Sequence, residues 1–156
     1  MTGAAHELAG RVSKIVYYNA LVPRQGACAL DELPPEFAEA TREAIATSPD
    51  GTAAVPLEVV QQMLMQDQPE QVQRLLWDLL VPHPGNYGDD ALDVPPVSSL
   101  EIPASYVLSE DDLALGRPGA GVLFADRLGV EPIMVPGSHE SLLTHPDEVA
   151  QALLSA

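Results

Sequence analysis

The sequence predicts an α/β domain: a small parallel sheet of about three strands, flanked by helices and interrupted by a long helical insertion. Three observations lead there. Two short apolar runs, residues 105–108 and 132–135, are separated by a helix-forming segment. Each ends in polar chemistry, the first in the acidic turn Glu110, Asp111, Asp112 and the second in Gly137, Ser138, His139. A third apolar run, residues 14–20, follows a short helical stretch. Near-continuous apolar runs of this length suit parallel strands covered on both faces, and their alternation with helices suits βα units.

Taken in order, residues 2–10 read as a short helix closed by Gly10, too short to be stable alone. Residues 14–20 follow as the first strand. The stretch 21–35 is irregular, and residues 35–47 form a helix with Phe37, Ala40, Ala44 and Ile45 toward one side. Ser48, Pro49, Asp50 and Gly51 signal a turn. Residues 56–65 read as a second helix of the insertion and residues 70–80 as a third, with Val72, Leu75, Leu76, Trp77 and Leu79 as its apolar content. Residues 81–88 and 94–96, rich in proline, are expected to be extended. The sheet resumes with residues 102–108. A helix over 118–128 stops at Gly129, the last strand covers 130–135, and the terminal helix covers 146–155. Thr144 is its expected N-cap, with Pro146 early in the helix and Asp147 and Glu148 in its first turn. The chain is expected to form one domain over residues 1–156, with 1–20 and 99–156 as core and 21–98 as a cap over the strand ends.

Composition narrows the function. The 156 residues carry 23 acids against 7 bases, a formal charge of −16, and Lys14 is the only lysine. A surface of that sign repels phosphate backbones and anionic lipid, so neither nucleic acid nor a membrane is an expected partner. Cys28 is the single cysteine, which excludes a disulfide framework and a cysteine-rich metal site. No apolar run approaches a bilayer span. The first residues lack both a basic and an apolar region, so no signal peptide is expected and a cytoplasmic location is the default. With no phosphate-cradling glycine loop and no zinc-type ligand spacing, neither a nucleotide, another cofactor nor a metal is expected.

The order of elements, with certain stretches, resembles the second half of an α/β-hydrolase, in particular the esterase and hydroxynitrile-lyase branch. Residues 11–23, Arg-Val-Ser-Lys-Ile-Val-Tyr-Tyr-Asn-Ala-Leu-Val-Pro, are similar to the strand after the nucleophile helix and its exit into the cap. Leu33-Pro-Pro35 and Pro82-His-Pro84 resemble cap segments. Residues 102–115 resemble the strand that presents the acid, and residues 136–147 resemble the histidine loop and the following helix. The resemblance implies a partial α/β-hydrolase fold and assigns Asp112 as the acid, with Asp111 as the fallback, and His139 as the base. The family's nucleophile elbow, Gly-x-Ser-x-Gly, has no counterpart in these 156 residues, nor has its oxyanion-hole loop. The strand at residues 14–20 would then lack its usual neighbour. An unpaired edge favours association, and either a homodimer or a complementary hydrolase half is expected.

An aspartate bonded to a histidine fixes its tautomer and supports the imidazolium, so the imidazole can act as a general base near neutral pH. Ser109, Ser138 and Ser141 read as loop hydroxyls and Cys28 as a small buried residue. Tyr17, Tyr18, Trp77 and Tyr87 are the aromatic groups available to line a cleft. Tyr18, Trp77 and His83 are the expected substrate contacts. The expected function is enzymatic: His139–Asp112 acid/base chemistry on a small organic molecule such as an ester, lactone or polyketide-like compound, without a serine nucleophile of its own. The alternative is a non-catalytic or accessory half-hydrolase that binds a ligand or a partner chain supplying the nucleophile.

Overall fold

The computed structural model describes residues 2–156. Helix α1 (Thr2–Glu7) and a 3-10 turn (Ala9–Arg11) lead into β1 (Ile15–Tyr18). The segment between β1 and the next strand of its sheet is a long insertion, from which Val22 and Val97 join the core against the sheet. It contains a 3-10 turn (Leu30–Glu32), α2 (Pro35–Thr47), β2 (Thr52–Ala53), α3 (Leu57–Val59), a π-helical turn (Val60–Leu64), α4 (Glu70–Leu79), β3 (His83–Pro84), α5 (Asn86–Asp89) and a 3-10 turn (Val97–Leu100). β4 (Ala104–Ser109), α6 (Ala120–Leu128), β5 (Pro132–Val135), α7 (Ser141–Thr144) and α8 (Pro146–Ser155) complete the chain.

The main sheet has the order β1-β4-β5 with both pairings parallel. Ile15 stands opposite Ala104, Tyr17 opposite Tyr106, and Val107 opposite Ile133. The two-residue period of the strands sorts their side chains between two cores. Ile15, Tyr17, Tyr106 and Leu108 pack with Phe124 and Leu128 of α6 on one face. Val16, Tyr18, Val107 and Val135 pack with Val149 and Ala152 of α8 on the other. Helices on both faces explain why the strands are apolar throughout rather than alternating. Tyr17 and Tyr106 are almost fully buried, with their rings stacked at 6.5 Å. Burying an aromatic side chain of this size contributes roughly 2–3 kcal/mol. Their hydroxyls are satisfied, Tyr106 donating to the Ala20 carbonyl at 2.7 Å and Tyr17 lying 2.9 Å from Thr2 Oγ1, a bond that holds α1 against the sheet. Gly121 lets α6 approach β4, since a Cβ there would fall 2.4 Å from a Leu108 methyl.

The insertion is tied to the sheet layer by a buried ion pair. Glu32, its side chain only 2% exposed, accepts from the two terminal guanidinium nitrogens of Arg127 on α6, at 2.8 and 2.9 Å. Arg127 also donates to the Val22 carbonyl and lies over the Phe124 ring at 5.2 Å, a cation–π contact. No helix among the described residues is long and apolar enough to cross a membrane.

Several elements differ from the sequence expectation. The helix expected over 56–65 is broken into α3 and the π-helical turn, in which the Met65 N–H reaches back five residues to the Val60 carbonyl at 2.9 Å. Val60 and Met65 are buried there, so tertiary packing sets the local winding. The stretch expected to be extended over 81–88 contains β3, which pairs antiparallel with β2, and then the helical turn α5. Thr144 does not cap α8. It closes α7, because the His145 N–H bonds to the Ser141 carbonyl at 2.7 Å, and His145 becomes the residue before α8.

Candidate active site

Asp112 and His139 sit on the loops that leave the carboxyl ends of adjacent strands, where open α/β sheets hold ligands. The two loops are zipped together. The Glu110 N–H donates to the Val135 carbonyl at 2.9 Å, and the Asp111 N–H to the Gly137 carbonyl at 3.1 Å. Asp112 turns inward, and its side chain is 1% exposed. Its Oδ1 accepts the Ala114 N–H at 2.8 Å, and its Oδ2 lies 2.9 Å from His139 Nδ1. Asp112, not the exposed Asp111, is therefore the acid that meets the histidine. No hydrogen-bond partner to His139 Nε2 occurs among the described residues, and the side chain keeps 24% of its surface open.

A buried polar network behind the ring holds the His139 backbone. Asn19, at the end of β1, bonds through Nδ2 to the His139 carbonyl and to Ser109 Oγ, both at 2.7 Å. Its Oδ1 accepts the Ser109 N–H at 2.8 Å. Ser109 Oγ lies 2.7 Å from Ser141 Oγ, which lies 2.8 Å from the Tyr18 hydroxyl, which donates to the His139 carbonyl at 3.1 Å. The protons can all run one way, from Asn19 through Ser109, Ser141 and Tyr18 to that carbonyl, so every donor is used. Ser109 and Ser141 are fully buried or nearly so, and an unmet hydroxyl there would cost about 1–3 kcal/mol. Asn19 occupies the left-handed region at φ 41°, which asparagine tolerates better than most residues.

Gly137 has φ 94°, and a Cβ on it would fall 2.6 Å from His145 Nδ1 and 3.1 Å from Ser141 Cβ. Gly137→Ala is expected to destabilise the protein by roughly 2 kcal/mol through strain and overpacking and to displace the histidine loop. A urea midpoint equal to that of the parent would refute this.

His139 borders a cavity of about 360 Å³ between the strand ends and the insertion. Its walls are mostly aliphatic and aromatic, among them Leu33, Phe37, Val59, Met63 and Leu115. His83, on β3 of the small antiparallel β2–β3 pair, also lines it. Two other residues singled out in the sequence stand elsewhere. Tyr18 is not part of the wall; its hydroxyl braces the histidine loop. Trp77 is not part of the wall either, and its indole N–H donates to the carbonyl of Val55, a wall residue, at 3.0 Å. Cys28 is buried with Leu30 and Ala38, its sulfur against Arg42. Ser138 is turned toward the insertion, its hydroxyl 2.7 Å from Asp67 Oδ1 and 2.9 Å from the Leu64 carbonyl, two acceptors for its one proton. Sequence reasoning missed Asn19, whose only signal was an asparagine ending an apolar strand.

No protein-family model matches the sequence, and no curated protein matches it. Solved structures do. An extracellular α/β-hydrolase from a Paenibacillus species, described as sharing structural and functional homology with tobacco salicylic acid binding protein 2, superposes with a TM-score of 0.85 at 20% identity, over 97% of this chain and 64% of that one. A methylesterase from Arabidopsis matches with a TM-score of 0.63 at 15% identity, over 99% and 66%. A thermophilic esterase from Thermogutta terrifontis, solved with malate bound, matches with a TM-score of 0.68 at 15% identity, over 97% and 57%. The chain thus spans less than two-thirds of the length of each. At these identities the likeness concerns architecture, and what it establishes is that this chain has a partial α/β-hydrolase fold built on a three-stranded parallel sheet.

Proposed function

We propose that the chain performs general acid/base chemistry on a small, largely apolar organic substrate with an ester-type carbonyl, using His139 oriented by Asp112. The observation that carries this reading is the dyad at the edge of the apolar cavity. With Nδ1 engaged by a buried carboxylate, Nε2 is the nitrogen left to take a proton. The cavity is large enough for a small molecule. Its few polar groups, His139 and His83 among them, can orient a carbonyl while the aliphatic wall holds the rest. The esterases among the similar structures direct the choice of ester over other carbonyl compounds. In the reaction Nε2 removes a proton from water, the resulting hydroxide attacks the carbonyl carbon, and the imidazolium returns the proton to the departing alkoxide.

His139→Ala is expected to lower hydrolysis of a panel of methyl and nitrophenyl esters of apolar acids by about 10²–10⁴-fold, the ordinary contribution of a positioned base. Equal turnover by the two proteins would sink the proposal.

A second reading is favoured by the outer edge of β1, which has no strand partner among the described residues. There a complementary segment carrying a hydroxyl nucleophile pairs with β1, and His139 deprotonates that hydroxyl instead of water. A dimer by light scattering that a proline placed in β1 disperses would instead assign a second copy to that edge. Ester hydrolysis by the isolated chain favours the first reading. Hydrolysis that appears only on adding the complementary segment favours the second.

A further inference from the structure

The π-helical turn of the insertion ends against both catalytic loops. The Leu64 carbonyl accepts the Glu140 N–H at 3.1 Å and lies 2.9 Å from Ser138 Oγ. Asp67 Oδ1 lies 2.7 Å from the same Ser138 hydroxyl. Gln66 Nε2 donates to the Asp111 carbonyl at 2.6 Å. These contacts bracket the dyad. Ser138 and Glu140 flank His139 on either side, and the Asp111 carbonyl belongs to the peptide that enters Asp112. The turn is itself anchored from behind, where buried Gln73 donates to the Met65 carbonyl at 2.9 Å. Its other side faces the cavity, which Met63 and Leu64 help to line.

Resting on the reading of His139 as a base, we infer that residues 64–67 form a latch that positions the imidazole against Asp112, with Asp67 and Ser138 as its positioning pair. Three features make this more than cap packing. Ser138 is fully buried, so its hydroxyl has no water to turn to once its acceptors are lost. π-helical turns are frequent at functional sites, and the last carbonyl of this one, Leu64, left without a partner inside the turn, serves the histidine loop. Burial raises the Asp67 carboxyl, yet hydrogen bonds from Ser138 and Gln68 outweigh it and leave the group below the usual carboxylate range. Asp67 is thus an anion near neutral pH, and its bond to Ser138 is charge-assisted. A ligand pressing on Met63 and Leu64 pushes on the same turn, so cavity filling and imidazole alignment share one element.

The test reads the imidazole directly. The Nδ1–H proton of His139, bonded to buried Asp112, is expected to give a low-field resonance in the parent protein. Asp67→Ala and Ser138→Ala are expected to broaden or abolish it and to lower kcat by about 10–10²-fold, the cost of a misplacement near 1 Å. Asp67→Asn keeps an oxygen that accepts the Ser138 hydroxyl but loses the charge, and is expected to keep more of both signal and rate than Asp67→Ala. Asp67 stands at the surface, so its variants are expected to remain folded by circular dichroism. Should Asp67→Ala unfold, Ser138→Ala decides. An unchanged resonance in a folded Ser138→Ala protein overturns the latch. The resonance is independent of turnover, so it separates failure of the latch from failure of the proposed ester chemistry, which His139→Ala reads.

Discussion

Asp112→Asn is expected to lower ester turnover by about 10³–10⁴-fold while leaving the fold unchanged. The reason is the orientation the loop imposes on the new carboxamide. Oδ1 of Asp112 accepts the Ala114 N–H at 2.8 Å, so in the variant that place keeps the carbonyl oxygen. The amide nitrogen then takes the place of Oδ2, 2.9 Å from His139 Nδ1. A donor there selects the tautomer with Nδ1 unprotonated, which puts the proton on Nε2 and removes the base from the cavity. The site offers little remedy, because the Asp112 side chain is only 1% exposed and water cannot substitute for the carboxylate. The variant also loses the negative charge that supports the imidazolium. Nitrogen NMR of His139 should show the proton moved from Nδ1 to Nε2. Asp111→Asn is the control: its side chain faces solvent, only its backbone joins the loops, and its turnover should stay within a factor of about two of the parent, as for other exposed substitutions. Turnover by Asp112→Asn within tenfold of the parent would dismiss the dyad as the base.

That dyad was legible in the sequence, and the residues that hold it were not. The apolar runs, the acidic turn and Gly-Ser-His each announce themselves over a few neighbouring residues, and so do the helices that begin at Pro35 and Pro146 and the one that stops at Gly129. Asn19 does not, because its meaning lies in Ser109 and His139, 90 and 120 residues away. Tyr18 read as a cleft aromatic because a phenol beside a strand end carries no mark of where its hydroxyl goes. The break at the π-helical turn is invisible to periodicity for a related reason: Val59, Val60, Met63 and Leu64 fit an ordinary amphipathic helix, and the wider winding follows from how Val60 and Met65 are buried in the fold. β2 and β3 are too short to leave a two-residue pattern, and Pro84 obscured the second of them. Local chemistry thus located Asp112 and His139, whereas their alignment depends on contacts that only the fold brings together.

The largest stability effect is expected away from the Asp112–His139 pair, at Glu32. Glu32→Gln should cost about 3 kcal/mol, the lower end for breaking a buried pair by removing one partner. The loss is not of attraction alone. Glu32 is 2% exposed and Arg127 18% exposed, so the guanidinium would be left largely desolvated without a counter-ion. Arg127 would retain the Val22 carbonyl and the Phe124 ring, neither of which neutralises it. The same pair dictates an acid limit. Burial raises the Glu32 carboxyl, but Arg127, with the Arg24 N–H and charge, reverses this and holds it below the usual range. The unfolded chain therefore takes up the Glu32 proton at a higher pH than the folded one. The stabilisation is complete above the ordinary glutamate range, near pH 4.3, and is lost as pH falls through the lower folded value. Urea unfolding between pH 7 and pH 3 should show the parent losing stability across that window and Glu32→Gln starting lower with a shallower fall. Asp31 and Asp67, also held below the carboxylate range, keep some slope in both proteins. Parallel curves for the two proteins would mean that Glu32 is not what fastens the insertion to α6 in acid. Because the insertion supplies one side of the cavity and contacts the histidine loop through residues 64–67, loosening it should also reduce turnover with His139 and Asp112 still present.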